Sequence, residues 1–143
     1  IQKNIDNLEK EGRLSLTKGF IQHGNVSVYE HCLAVCVCSI KIARMLRIRY
    51  DLRALIRGAL LHDYFLYDWH VNDDPNRKLH GFFHPSVALE NALKDYELSK
   101  KEQDIIKHHM FPLTIIPPMC REAWLVCLAD KICAGKETLL RRQ

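Results

Sequence analysis

The stretch ALLHDYFLYDWH, residues 59–70, places a histidine and an aspartate, His62 and Asp63, at the end of an apolar run. A carboxylate that is buried without a partner costs several kcal/mol, so Asp63 needs a compensating group. A second carboxylate, Asp130, falls on the apolar stripe of the last helical segment, and carboxylates are almost never fully buried unless they are paired. A metal cation would neutralise Asp63 and Asp130 together.

Histidines supply the other candidate ligands, and several fall in line with apolar helical faces. The candidate ligands are His31, His62, Asp63, His84, His108, His109 and Asp130. Neutral imidazole and carboxylate bind borderline divalent ions such as zinc, iron, manganese and nickel. Each histidine alone is equally compatible with a core histidine that has one hydrogen-bonded nitrogen. Inward histidines and aspartates on five separate helices together favour a metal centre.

Length and composition indicate one globular domain with a small anionic substrate. A chain of 143 residues, 48% hydrophobic and 27% charged, fits one domain. Since no apolar run approaches the roughly 20 residues that span a bilayer, we expect no membrane partner. The net charge of +4 favours an anionic small molecule somewhat, and it is too weak and dispersed to indicate binding of a nucleic-acid polymer.

The six cysteines show no CxxC spacing, and most lie in apolar periodic segments. Cys32 and Cys36 lie one helical turn apart, so a metal pair is conceivable. Reduced thiols acting as small core residues are the favoured interpretation. This cysteine usage predicts a cytoplasmic protein, because thiols stay reduced in that compartment.

Helical periodicity dominates the chain and predicts an all-α bundle of about five to seven helices. Ser27 and Ser99 each precede a glutamate by three residues, which is the capping-box pattern, and Asp51 can cap another helix. The first helix is expected to end at Gly12 and the last at Gly135. No segment alternates over enough residues to predict a strand, and the short run LTIIP is weakened by flanking prolines.

Residues 65–83 are the least regular segment and are predicted to form a long loop near the site. Pro85 suits the first turn of the helix that follows. A loop of this length inside a compact domain is usually functional. Substrate specificity is therefore expected to reside in this loop.

The order His31, His62–Asp63 and Asp130, with the surroundings LLHD and LADKI, resembles the HD-domain superfamily of metal-dependent phosphohydrolases. The resemblance extends from about residue 20 to residue 137, and the four-part order is far more specific than the His–Asp dipeptide alone. It implies a single HD domain over residues 1–143. It also implies that a metal-activated water cleaves a phosphoester or phosphoanhydride of a nucleotide-like substrate.

Two further histidines, His84 and His109, make the chain similar to HD proteins that hold two ions. These include the HD-type dinucleoside tetraphosphate hydrolases and the cyclic-di-GMP phosphodiesterases. The frame Ile-x-x-His favours His109, and His108 stays open as an alternative or additional ligand. The resemblance implies that Asp63 bridges two divalent ions, with iron, manganese, nickel, zinc and magnesium not distinguished. One shell would be completed by His31, His62 and Asp130, the other by His84 and His109.

Two features depart from these relatives. The Gly-Tyr-Pro signature of the cyclic-di-GMP branch is absent, which argues against that substrate, and Leu66 stands where relatives often place a lysine. Asp68 and His70 follow the metal pair closely, so they are candidates for proton donation or substrate contact. Capping of a turn by Asp68 and a surface position for His70 are equally compatible with the sequence.

Candidate contacts to substrate phosphate are Lys131, Arg77 and Lys78, each of which also fits a plain surface charge. Two other functions stay open: a non-catalytic, nucleotide-binding regulatory HD domain, and an oxygenase with two irons. The intact ligand set argues against the regulatory domain. The sequence also leaves open whether the first helix packs on its own domain or on a second copy in a homodimer.

Overall fold

A computed structural model describes the backbone of residues 1–19, 21–23, 26–64 and 77–141, and the side chains of residues 1–19, 26–64 and 85–137. The described part contains six α-helices, one 3₁₀ helix at Leu14–Gly19 and one pair of short strands. The helices are α1 (Gln2–Glu11), α2 (Val28–Met45), α3 (Leu52–Leu61), α4 (Arg77–Asp95), α5 (Lys100–His108) and α6 (Arg121–Arg141). The predicted all-α fold is confirmed.

Helix starts follow the capping residues of the sequence. The Ser27 hydroxyl accepts a hydrogen bond from the Glu30 amide at 3.1 Å, and the Asp51 carboxylate accepts one from the Ala54 amide at 3.1 Å. Ser99 caps α5 in the same way. Each bond satisfies an amide that has no partner within its own helix, which explains why the helices begin where they do.

The two short strands, β1 (Ile21–His23) and β2 (Val26–Ser27), pair antiparallel immediately before α2. They were not predicted, because neither is long enough to show an alternating pattern. The run LTIIP at 113–117 contains no strand, and its first four residues form a turn and bends.

Helix α4 begins earlier than predicted. It opens at Arg77, so residues 77–83 are helical and Pro85 lies inside the helix instead of in its first turn. A proline inside a helix removes one backbone hydrogen bond, and here the helix continues on both sides of it. The prediction of a loop over residues 65–83 is therefore wrong for residues 77–83, and residues 65–76 lie outside the described residues.

Helix α6 continues past Gly135 to Arg141, so the predicted end at Gly135 is wrong. An interior glycine costs about 1 kcal/mol relative to alanine, which a helix in a packed domain can absorb. The extension has a consequence for the site, because it carries Glu137.

The helices pack around one core in which α2 contacts α3 and α6, and α5 contacts α3, α4 and α6. Helix α3 approaches α5 closely at Gly58, where a Cβ atom would lie 2.4 Å from Ile105 Cδ1 and 2.9 Å from Ile105 Cβ. Gly58 precedes His62 by one helical turn, and Ile105 precedes His109 by one turn. The missing side chain at Gly58 thus lets the ends of α3 and α5 come together.

Among the described helices, none combines the length and the apolar character that crossing a membrane requires.

Candidate metal centre

Four of the predicted ligands meet in the interior of the helical bundle. His31 lies near the start of α2, His62 and Asp63 directly follow α3, and Asp130 lies within α6. All four are buried, and one candidate ligand atom from each lies within 4.8 Å of the others. Residues separated by up to 99 positions in sequence are therefore brought into one cluster.

The two imidazoles direct the same nitrogen at the two carboxylates. His31 Nε2 lies 2.8 Å from Asp130 Oδ1 and 3.5 Å from Asp63 Oδ2. His62 Nε2 lies 3.2 Å from Asp130 Oδ1 and 3.3 Å from Asp63 Oδ2. Both Nε2 atoms and one oxygen of each aspartate therefore face a common point.

In two histidines, His62 and His109, the second ring nitrogen, Nδ1, is hydrogen-bonded to a backbone carbonyl oxygen. His62 Nδ1 lies 2.6 Å from the Ala59 carbonyl oxygen, and His109 Nδ1 lies 2.8 Å from the Ile106 carbonyl oxygen. A carbonyl oxygen only accepts hydrogen bonds, so Nδ1 carries the proton in both rings. In the neutral ring, the lone pair is then on Nε2, pointing into the cluster.

This arrangement fits a bound cation. A lone pair on Nε2 and a carboxylate oxygen about 3 Å apart repel each other unless a proton or a metal ion lies between them. Two imidazole nitrogens and two carboxylates form a donor set that suits a borderline divalent ion, and outer hydrogen bonds of this kind orient metal-binding histidines. The residues therefore fit the metal ion that the sequence predicts.

The charges of the cluster stabilise positive charge even on the rings themselves. Burial disfavours protonation of His31, but its hydrogen bonds to Asp130 and Glu137 outweigh burial and raise the pKa to about 10. The pKa of His62 is also raised, since the nearby aspartates outweigh its burial. Burial acts to raise the pKa of Asp130, and hydrogen bonds from both histidines overcome it and lower the pKa well below its usual range.

His109 lies on the other side of Asp63. Its Nε2 is 3.1 Å from Asp63 Oδ1, and its ring centroid is 4.8 Å from that of His62. The two oxygens of Asp63 are thus divided, with Oδ2 facing His31 and His62 and Oδ1 facing His109. This is the arrangement expected of a carboxylate that bridges two sites.

The neighbouring histidine, His108, makes a different contact. Its Nδ1 pairs with the carboxylate of Asp104, one turn earlier on α5. Among the described side chains, His109 and not His108 therefore contacts Asp63, and the choice between them as metal ligand stays a prediction.

The predicted phosphate contact Lys131 lies next to the cluster, on another face of α6. Its ammonium group donates to the His109 carbonyl oxygen at 3.4 Å and contacts Cys127 Sγ at 3.1 Å. It lines an apolar groove of about 720 Å³ with Phe111 and Trp124, in which none of the clustered ligands takes part. Lys131 thus contacts the backbone of His109 and is not part of the ligand cluster.

The remaining predicted site residues fall where side chains are not described. His84, Arg77 and Lys78 belong to the helical backbone of α4, but their side chains lie outside the described residues. Asp68 and His70 lie wholly outside the described residues. Their roles as second-metal ligand, phosphate contacts and proton donors stay predictions.

Two residues near the cluster were not predicted from the sequence. Glu137 faces His31 Nδ1 with both carboxylate oxygens, at 2.9 and 3.0 Å. Tyr64, directly after Asp63, donates its hydroxyl proton to Asp95 at 2.6 Å and accepts a hydrogen bond from the Arg13 amide at 2.8 Å. Glu137 lies seven residues after Asp130, two turns along one helix face, and this spacing indicates Glu137 only when α6 is known to continue past Gly135.

A protein-family model described as HD domain matches residues 28–135, which is more than half of the chain. Comparison with curated proteins and with solved structures gives no significant match. The matched segment includes His31, His62, Asp63 and Asp130, the four clustered residues.

Proposed function

Because the chain belongs to the HD domain family, which consists largely of metal-dependent hydrolases, we propose that it is a metal-dependent phosphohydrolase. The proposed reaction is hydrolysis of a phosphoester or phosphoanhydride in a small, nucleotide-like anion. The observation that carries this proposal is the buried cluster of His31, His62, Asp63 and Asp130. The net charge of +4 is consistent with an anionic substrate.

In this proposal, His31, His62, Asp63 and Asp130 hold one divalent ion. A second ion is held by Asp63, His109 and His84, since Asp63 Oδ1 faces His109 while Asp63 Oδ2 faces the first group. When bound, such ions lower the pKa of water and stabilise negative charge on phosphate oxygens. The protein fixes the ligand geometry through the Nδ1 hydrogen bonds and keeps the ligand atoms buried.

Other residues are proposed to act on the substrate. Arg77, Lys78 and Lys131 are candidates for holding phosphate oxygens, and Asp68 and His70 for donating a proton to the leaving group. The short sequence distance from Asp63 to Asp68 and His70 supports their assignment, because five and seven residues keep them within reach of the cluster.

The proposal is tested by metal analysis of anaerobically purified protein, followed by a phosphate-release screen. The screen covers nucleoside monophosphates, dinucleoside polyphosphates and cyclic nucleotides, each with manganese, iron, nickel, zinc or magnesium. We expect one or two divalent ions per chain, release of phosphate or nucleotide from at least one class, and loss of turnover in chelator. Turnover that persists after complete metal removal would contradict the proposal.

Nucleotide-binding and oxygen-uptake measurements, made beside the screen, separate the two alternatives. Metal-loaded protein that binds a nucleotide and releases no product over hours would indicate a regulatory domain. Oxygen uptake by the ferrous protein on addition of a phosphonate or a polyol would indicate an oxygenase. Either result would replace the hydrolase assignment.

The adjacent histidines provide a matched pair of variants for the second ion. We expect His109→Gln to lose one of two bound ions and to lower turnover at least about tenfold, because its Nε2 contacts Asp63. His108→Gln is expected to keep the metal content of the wild type, because its ring pairs with Asp104. Metal analysis of both proteins after identical dialysis checks this. Equal metal loss in the two variants would show that the assignment to His109 is wrong.

A further inference from the structure

The contact between His31 and Glu137 joins the start of α2 to the end of α6. His31 Nδ1 lies 2.9 Å from Glu137 Oε1 and 3.0 Å from Glu137 Oε2, across 106 positions of sequence. The His31 side chain is fully buried, and that of Glu137 is 11% exposed. The carboxylate thus approaches the ring from the side opposite Asp130, which faces His31 Nε2.

The other two histidines are oriented differently. His62 and His109 each bond through Nδ1 to a backbone carbonyl three residues earlier in the chain. These bonds follow from the local geometry where α3 and α5 end. His31 lies near the start of a helix, and its Nδ1 faces a charged side chain of another helix. Its orientation therefore depends on tertiary packing of α2 against α6.

We propose that Glu137 is a positioning residue that holds the proton on His31 Nδ1 and aims His31 Nε2 at Asp130 and Asp63. This inference rests on the proposed metal-dependent function. A carboxylate behind a ligating histidine fixes its tautomer and makes the ring a stronger ligand, and loss of such a partner typically costs 10- to 100-fold in metal affinity.

Glu137 lies two residues beyond the segment matched to the HD domain family, which ends at residue 135. Its position is set by the continuation of α6 past Gly135, since Asp130 and Glu137 are two helical turns apart. One helix therefore supplies both a direct ligand and the group that orients another ligand. The proposed metal centre of this chain therefore depends on one residue, Glu137, that lies outside the family match.

Zinc binding to Glu137→Ala and Glu137→Gln provides the test, with Glu90→Gln, an exposed glutamate of α4, as the matched control. Competition with a chelator gives the zinc affinity. We expect a 10- to 100-fold loss for Glu137→Ala. A smaller loss is expected for Glu137→Gln, whose amide oxygen can still accept the Nδ1 proton without supplying a charge. Glu90→Gln should match the wild type.

Two readouts separate positioning from a structural role. Thermal unfolding with and without zinc should show a smaller zinc-induced rise in Tm for Glu137→Ala than for the wild type, with each rise measured from that protein's own zinc-free Tm. Nitrogen-15 NMR of the zinc-loaded protein should show loss or displacement of the His31 Nδ1–H signal. The corresponding signals of His62 and His109 should be unchanged, because their partners are backbone carbonyls.

Wild-type zinc affinity in Glu137→Ala, with an unchanged His31 ring signal, would overturn the inference. A lower zinc-free Tm with an unchanged zinc-induced shift would also overturn it, because that result describes a structural contact only. Both results leave the proposed hydrolase intact. Conversely, weakened zinc binding in Glu137→Ala together with no hydrolysis of any phosphate substrate would support the positioning role and contradict the proposed activity.

Discussion

Replacement of Asp63 by alanine is expected to abolish metal binding and hydrolysis together. Asp63 Oδ2 lies 3.5 Å from His31 Nε2 and 3.3 Å from His62 Nε2, while Asp63 Oδ1 lies 3.1 Å from His109 Nε2. Its loss therefore removes a ligand from both proposed ions. Loss of an outer partner alone costs roughly 10- to 100-fold, so we expect turnover to fall by more than about a hundredfold.

Metal content by elemental analysis and turnover on the best substrate of the screen are measured on the same preparation. Asp6→Ala is the matched control, because Asp6 is an exposed carboxylate of α1 that contacts Gln2 on the same helix. It should keep wild-type metal content and rate. Circular dichroism shows whether Asp63→Ala retains its helices. A folded Asp63→Ala protein with full metal content and full turnover would show that the proposed site is wrong.

The features of this fold that can be predicted from the sequence are those set by interactions between residues near each other in the chain. The starts of α2, α3 and α5 follow from Ser27, Asp51 and Ser99, because a capping side chain acts within three residues of itself. The same holds for the inward direction of His31 and Asp130, which is set by helical periodicity relative to apolar neighbours. A structural feature can be predicted from the sequence when the interaction that determines it joins residues that lie close together in the chain.

The order of residues also predicted which side chains would meet. The resemblance to the HD-domain superfamily assigned His31, His62, Asp63 and Asp130 to one site, and the structure brings these four together. No local rule gives that result, since the residues come from α2, the end of α3 and α6. Their proximity depends on how α2, α3 and α6 pack.

The parts that could not be predicted depend on long-range packing. In isolation, Gly135 predicts a helix end and Pro85 predicts the first turn of a helix, yet both lie inside helices, since neighbouring contacts outweigh their local preference. The prediction of a helix end at Gly135 also hid Glu137. Gly58 approaches Ile105 closely, which brings His62 near His109. This contact has no sequence signature, because a single glycine in a sequence does not indicate which residue packs against it.

Glu102 also makes a long-range contact that its local sequence pattern does not predict. The Ser99-x-x-Glu102 pattern predicts a capping role, and the Ser99 hydroxyl does donate to Glu102 Oε2 at 3.1 Å. The structure also buries Glu102 and pairs its Oε1 with Arg57 Nε at 3.0 Å. Arg57 further donates to the Glu97 carbonyl oxygen at 3.1 Å. A residue with an evident local role is therefore also half of a buried ion pair between α3 and α5.

Removal of the cation from this pair is expected to have the largest effect on stability. Arg57→Met leaves the buried Glu102 carboxylate without its positive partner, which typically costs about 3–5 kcal/mol. Typical domains have only about 5–15 kcal/mol of unfolding free energy, so the loss is a large share of the total. Urea unfolding followed by circular dichroism, in the presence of chelator, measures the change without a contribution from bound metal.

The double variant Arg57→Met/Glu102→Met tests the cause of that loss. A buried ion pair replaced as a whole by apolar residues is often neutral in stability, because the desolvation cost of both charges disappears with them. We therefore expect the double variant to regain at least about 2 kcal/mol relative to Arg57→Met alone. Because α3 and α5 lead into His62–Asp63 and His109, we also expect Arg57→Met to weaken zinc binding and the double variant to restore it. A double variant no more stable than Arg57→Met would show that lost packing of the arginine side chain, and not an unpaired carboxylate, causes the destabilisation.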